Sequence, residues 1–199
     1  MPVDGHPLFL HPTGPGNTRQ LPDPENVIFD SAGFADNTHL IGFGQKHGDR
    51  SRGYVQDITG GTPRPFTPEG AVVGAIRWWT SPISPDGTRV VAASEDGTPM
   101  IYRVAGGAPD PVRNVQPGEL PVQWTSDGRG LLIARGDGLP WTVDRLDLAT
   151  GQRTPAATIR AHDPAGLRLS VFAISPEAKY YVHSYSRLLS DLFVVDGLK

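Results

Sequence analysis

The chain is 199 residues long, 38% hydrophobic, with a formal net charge of −3. That length suffices to bury a core, and that charge sets up no field that would draw nucleic acid or an anionic membrane surface. The absence of cysteine excludes disulfides and thiolate metal sites, and the 24 glycines and 20 prolines are spread along the chain rather than clustered as in a disordered segment.

Met1–His6 has no basic n-region, and no apolar run nears the roughly 18 residues of a membrane span. The expectation is a soluble chain with no signal peptide as written, within a parent that could itself be exported. The remaining organisation is carried by five glycines, Gly14, Gly60, Gly106, Gly151 and Gly197, at gaps of 46, 46, 45 and 46 residues. Five residues before each stands an apolar side chain: Phe9, Val55, Ile101, Leu146 and Leu192. A period of this size marks a chain built from repeated supersecondary units.

The elements follow in chain order. Residues 1–22 carry two short strands, Pro7–His11 and Asn17–Leu21. The segment 27–68 begins a full unit. A tight turn at Asp36-Asn37 follows Gly33-Phe34-Ala35, a third strand covers Tyr54–Ile58, and a fourth covers Pro63–Thr67. In 76–116 the turn is Asp86-Gly87 after Ile83-Ser84-Pro85, and the third strand is Met100–Val104. In 121–157 the turn is Asp127-Gly128 after Trp124-Thr125-Ser126, with strands at Arg145–Leu148 and Gln152–Thr154. In 168–199 the turn degrades to Glu177-Ala178, the third strand is Asp191–Val195, and the sequence stops two residues after Gly197. Asp-Gly and Asp-Asn favour the positive φ of tight hairpins, and apolar β-formers flank each one. No segment sustains a 3.6-residue period. The fold class is all-β, with four antiparallel strands per unit of about 45 residues, the size of a β-propeller blade.

The pattern Ile83-Ser84-Pro85-Asp86-Gly87, an apolar strand, a turn, then Ile101-Tyr102-Arg103-Val104 and Gly106-Gly107 resembles the TolB-type, WD40-like (PD40) propeller repeat. Thr125–Gly128 and Ser175–Ala178 are weaker copies, and Ala35-Asp36-Asn37 is placed by its phase. Gly-His and Trp-Asp pairs do not recur, so these are not true WD40 repeats. The end of the chain, Tyr180–Arg187 and Ser190–Lys199, is similar to the C-terminal propeller of bacterial eukaryotic-type Ser/Thr kinases. The sequence has no Gly-rich nucleotide loop, His-Arg-Asp or Asp-Phe-Gly, so the resemblance implies a kinase domain elsewhere in a parent chain and no kinase activity in this one.

A blade buries both faces against its neighbours. The final unit lacks a fourth strand, which Asn17–Leu21 could supply to close a four-blade ring. Pro7–His11 would then compete with Asp191–Val195 for one slot. The expectation is a single domain, about four blades plus a partial one, forming an incomplete or C-terminal part of a larger propeller. Open blade edges would allow a dimer.

No catalytic, cofactor or metal site is expected. Gly-x-Ser-x-Gly is absent, and Gly48–Gly53 reads as a hairpin tip. Gly42–Gly48 lacks phosphate-loop spacing and reads as a loop between second and third strands. His6, His11, His39, His47, His162 and His183 form no zinc motif. Asp86 and Asp127 read as caps of their own turns, Asp30 is the only obvious inner-strand acid, and Arg135-Gly136-Asp137 sits in a hairpin loop. Trp124 and one of the adjacent Trp78 and Trp79 are expected in the core, with the other, beside Arg77, at the rim of a central channel. Trp141 is expected at a loop exit, partly exposed. Lys46–Arg52 is the most basic cluster. The candidate binding surface is therefore Arg77, Trp78, Trp79, His47 and Arg50. The functional expectation is a non-enzymatic recognition or sensor module for a protein or peptide, with no nucleic acid, membrane or cofactor. The alternatives are a gating or substrate domain of a propeller-containing serine peptidase or hydrolase, a TolB-like scaffold, or a self-assembling fragment.

Overall fold

The repeated Ser/Thr-x-Asp-Gly turns fold as tight hairpins. In the computed structural model, which describes residues 7–73, 82–136, 139–160, 163 and 165–187, Gly87 and Gly128 take φ of 70° and 65°. Their N–H groups bond the carbonyls of Ser84 and Thr125 at 2.9 Å. Asp86 accepts the Ser84 hydroxyl at 2.5 Å and the Thr88 N–H at 3.1 Å, and Asp127 repeats this with Thr125 and Arg129. The first copy differs. There the flanking residues Ala35 and His39 pair, one residue closer than Ser84 and Arg89, and Asp36 closes the shorter loop by accepting the Thr38 and His39 N–H groups. In the degraded copy Ala178 still takes φ 56°, a left-handed conformation that costs an L-residue about 1–2 kcal/mol.

These hairpins build five antiparallel sheets among the described residues. The first pairs β1 (Phe9–Leu10) with β2 (Arg19–Gln20). The second runs β3 (Ile28–Phe34), β4 (His39–Gln45), β5 (Arg52–Asp57) and β6 (Arg64–Pro65). The third holds β7 (Arg89–Ala93), β8 (Pro99–Arg103) and β9 (Asp110–Pro111), with single bridges from Val72 to Ala93 and Ile83 to Val90. The fourth runs β10 (Glu119–Trp124), β11 (Gly130–Arg135), β12 (Trp141–Asp147) and β13 (Arg153–Ile159). The fifth pairs β14 (Leu167–Ile174) with β15 (Tyr181–Arg187). Within each sheet, strand order follows chain order. Gly60, Gly106 and Gly151 each take positive φ after a third strand, at 132°, 94° and 72°. The expected strand at Asp191–Val195, and Gly197, lie outside the described residues.

One local expectation changes. Gly42–Gln45 is buried strand at its first three residues, not loop. A Cβ on Gly42 would stand 2.7 Å from the Phe29 ring, so glycine there lets β3 and β4 pack. Trp141 stands where the loop gives way to β12 and is half-buried, with its ring 5.8 Å from that of Phe172.

The core is divided into one apolar cluster per seam between consecutive sheets. Val27, Phe29 and Tyr54 meet Leu8 at the first seam, and Ile41, Phe43 and Val55 meet Val90 and Ala92 at the second. Strand β11 shows the reason. Leu131 and Ile133 face the third sheet, while Leu132 and Ala134 face the fifth, and all four are fully buried. Alternating side chains point to opposite faces, so a run of consecutive apolar residues fits only a strand covered on both sides. Trp124, 1% exposed, locks the third seam. Its Nε1 donates to the Pro82 carbonyl at 2.9 Å, and the Arg89 guanidinium stands 4.7 Å over its ring while donating to the Gly128 carbonyl at 2.7 Å.

Trp124→Ala is predicted to cost about 3–5 kcal/mol by chemical denaturation, since it removes a buried ring and its hydrogen bond to the Pro82 carbonyl. Ala178→Gly is predicted to stabilise by about 0.5–1 kcal/mol, roughly 2 °C in melting temperature, because relief of left-handed strain exceeds the added chain entropy. Gly87→Ala has the opposite sign.

Candidate functional site

Antiparallel alternation brings one set of connections to a common end of the sheets. These are the loops 46–51 and 94–98 between second and third strands, and the segments 66–72 and 112–118 that leave the outer strands. This loop face carries the residues that sequence reasoning singled out in the basic cluster. His47 and Arg50 are both exposed there. Each cation of the cluster has a carboxylate partner: Lys46 pairs with Glu25, Arg50 with Glu95, and Arg52 with Glu69 at 3.7 Å. The Arg50–Glu95 pair links loop 46–51 of the second sheet to turn 94–98 of the third. Arg77, Trp78 and Trp79 lie outside the described residues.

Between the third and fourth sheets this face opens into a cavity of about 410 Å³. Val91–Ala93 and turn Asp96–Pro99 form one wall, and Val115–Pro121 forms the other. The wall at 115–121 is fixed by charge. The side chain of Glu119 is 2% exposed, and its carboxylate accepts the Gln116 N–H at 2.9 Å and Arg153 Nη1 at 2.7 Å. Arg153 also holds Asp144 at 3.0 Å and the Asn114 carbonyl at 3.3 Å. Asn114 donates to the Gly151 carbonyl at 3.0 Å. Burial pushes the Glu119 carboxyl up, and the Arg153 guanidinium with the Gln116 N–H brings it below its ordinary value. The pair therefore clasps segment 112–118 to the outer strand of the next blade.

The opposite wall is held by a short hydrogen-bonded turn. Asp96 accepts the Ser94 hydroxyl at 2.7 Å and the Thr98 N–H at 3.0 Å, and these two bonds lower its pKa. The carboxylate is exposed, ionised at neutral pH, and has no cationic partner among the described residues. Sequence reasoning missed both the clasp and the cavity. Glu119 and Arg153 stand 34 residues apart with no local spacing signal. The one available hint was an acidic residue starting an apolar strand after Pro117-Gly118.

Glu119→Gln is predicted to cost about 1.5–3 kcal/mol at neutral pH, the range for a hydrogen bond to a charged group. The sign with pH follows from the lowered carboxyl. The stability that Glu119 contributes is complete above its ordinary value of 4.5 and is lost as pH falls through the lower folded value. Urea titrations at successive pH values should show the gap between the wild type and Glu119→Gln narrowing on acidification below that point.

No protein-family model matches the chain, and no curated protein matches it. Solved structures do. A protein described as a TolB from Agrobacterium tumefaciens superposes with a TM-score of 0.57 at 14% identity, over 92% of this chain and 64% of its own. The tricorn protease matches with a TM-score of 0.57 at 13% identity, over 89% of this chain and 17% of its own. A prolyl endopeptidase matches with a TM-score of 0.52 at 18% identity, over 79% of this chain and 26% of its own. The chain thus spans less than two thirds of each of these proteins, and identities this low carry fold alone. The sheets, their chain-order pairing and these superpositions agree on one conclusion: the fold is that of a TolB-like β-propeller segment.

Proposed function

We propose that this chain is a non-enzymatic recognition module that binds a segment of a partner protein on its loop face. The observation that carries this reading is the cavity of about 410 Å³ set between two hydrogen-bonded walls at the common end of the sheets. Pockets of this size with mostly apolar walls and a few placed polar groups are the usual form of a binding site. The carboxylates of the turns support the non-enzymatic part. Asp86, Asp96, Asp127 and Asp147 are each committed to their own turn and held below the ordinary carboxylate range, Asp86 at about 2, by neighbouring hydroxyls and N–H groups. An acid so engaged is poorly matched to proton transfer near neutral pH. The C-terminal resemblance to kinase-linked propellers supports a signalling parent chain with its catalytic domain elsewhere.

The chain has no cysteine, so a single introduced thiol places one label. Gln116 lies exposed on the loop face and Ser126 lies exposed in the β10–β11 turn at the other end. Clones selected from a random heptapeptide display library against the immobilised chain are predicted to lose binding when a polyethylene glycol maleimide is attached to Gln116→Cys, and to keep it when the label is on Ser126→Cys. Turnover of a peptide, ester or glycoside substrate panel that one point substitution abolishes would contradict the reading.

A further inference from the structure

We infer that the cavity between the third and fourth sheets takes a bulky aliphatic side chain of a peptide whose neighbouring residue is lysine or arginine; this rests on the recognition reading above and names the chemistry of its ligand. Pro82, Pro99, Pro117 and Pro121 line the cavity and have no N–H to donate. The carbonyls nearby are already used. That of Pro82 accepts Trp124 Nε1 and the Val91 N–H, that of Pro99 accepts the Val112 N–H, and that of Gln116 accepts the Glu119 N–H. Val73, Val91, Ala93, Val115 and Leu120 add aliphatic wall, and the polar lining is confined to Asp96, Thr98, Gln116 and Glu119. A polar group set against the prolines and aliphatic side chains would lose water for few partners, whereas an aliphatic side chain loses nothing on entry.

Charge decides what stands beside that side chain. Two carboxylates line the cavity. Glu119 is neutralised by Arg153, so it draws no further cation. Asp96 is the other, and it sits at the exposed lip with no cationic partner among the described residues. Its bonds to Ser94 and Thr98 keep it ionised and fix its direction. Glu95, the next acid along the same turn, is engaged by Arg50. Asp96, Gln116, Pro117 and Gly118 are the exposed residues of the lining together with Gly97 and Thr98, so the mouth carries the negative charge of Asp96 at the edge of a mostly apolar cavity. A ligand complementary to both features places an apolar group inside and a cation at the lip. In a peptide lying across the mouth, the long flexible stem of an adjacent lysine or arginine carries its charge back to the rim while the aliphatic side chain enters the cavity.

The heptapeptide display library tests this with the intact chain, and three variants separate the parts. Ala93 lies on the wall at the end of β7, and Ala93→Phe fills the cavity; Asp96→Asn removes the charge while keeping a side chain that can hold the turn. Thermal unfolding of each variant confirms that it folds, and Ala93→Leu replaces Ala93→Phe if the larger ring is not accommodated. The expected result is a selected consensus with leucine, isoleucine or methionine next to lysine or arginine. Resynthesised peptides should bind at least tenfold more weakly to the cavity-filled variant. Against Asp96→Asn they should lose about threefold, the range of a partly exposed ion pair, and the loss should vanish when the basic residue is replaced by norleucine. A consensus with no basic residue, or binding indifferent to filling the cavity, overturns the inference and leaves the recognition reading standing. No enrichment over a blank surface overturns the recognition reading and the inference together.

Discussion

Everything in this fold depends on strands that are buried on both faces. A β-sheet with one apolar face can rest on a single neighbour, but β11 carries four consecutive apolar residues and has no face it can leave in water. The third and fifth sheets cover it from either side, and the same demand passes along the chain. Val90 and Ala92 of β7 face the second sheet while Val91 faces the fourth. Each seam is thus a core in its own right, and each blade is stable only as part of a stack. The interaction is hydrophobic and non-directional, so it is the polar contacts at each seam, Trp124 to Pro82 and Arg89 to Gly128, that fix how neighbouring blades meet.

That division of labour places the candidate site. Apolar packing holds the middle of the seam between the third and fourth sheets, and the cavity lies where that packing ends at the loop face. Its two walls belong to different blades, and each is fixed by its own polar device: a self-contained Asp96 turn on one side and the Glu119–Arg153 clasp on the other. Buried ion pairs contribute little net stability, because the attraction is offset by desolvation. What the clasp supplies is a defined position for segment 112–118 against the next blade. Loop 46–51 is tied to turn 94–98 by the Arg50–Glu95 pair.

Much of the fold was legible in the sequence because its two strongest signals are local. The Asp-Gly turns need positive φ, and the five-residue step from an apolar strand residue to a glycine repeats at blade length. Where local signals fail, the boundaries shift. β13 runs on to Ile159 past Pro155, which the sequence reads as a stop; an outer strand tolerates proline, and a register irregularity at Val143/Asp144 accommodates it. β12 starts at Trp141 despite the preceding Pro140. Glycines 42 and 44 look like loop residues, yet they sit in a strand whose neighbour approaches too closely for a Cβ. The site was far less legible. Its cavity is a gap between residues some 25 apart in sequence, and the acids that matter look alike until Arg153 is seen to neutralise one and not the other. Arg50, singled out for its charge, lies on the loop face and pairs there with Glu95.

The blade stack requires two-sided burial of the central strands, and backbone amide hydrogen exchange measures that burial directly. If the seams form as described, the amides of Leu131–Ala134 exchange only through unfolding of the whole stack, many orders of magnitude more slowly than those of turn 94–98 at the loop face. If β11 exchanges as readily as that turn, its faces are not covered, and neither the blade stack nor a cavity set between its walls exists in solution.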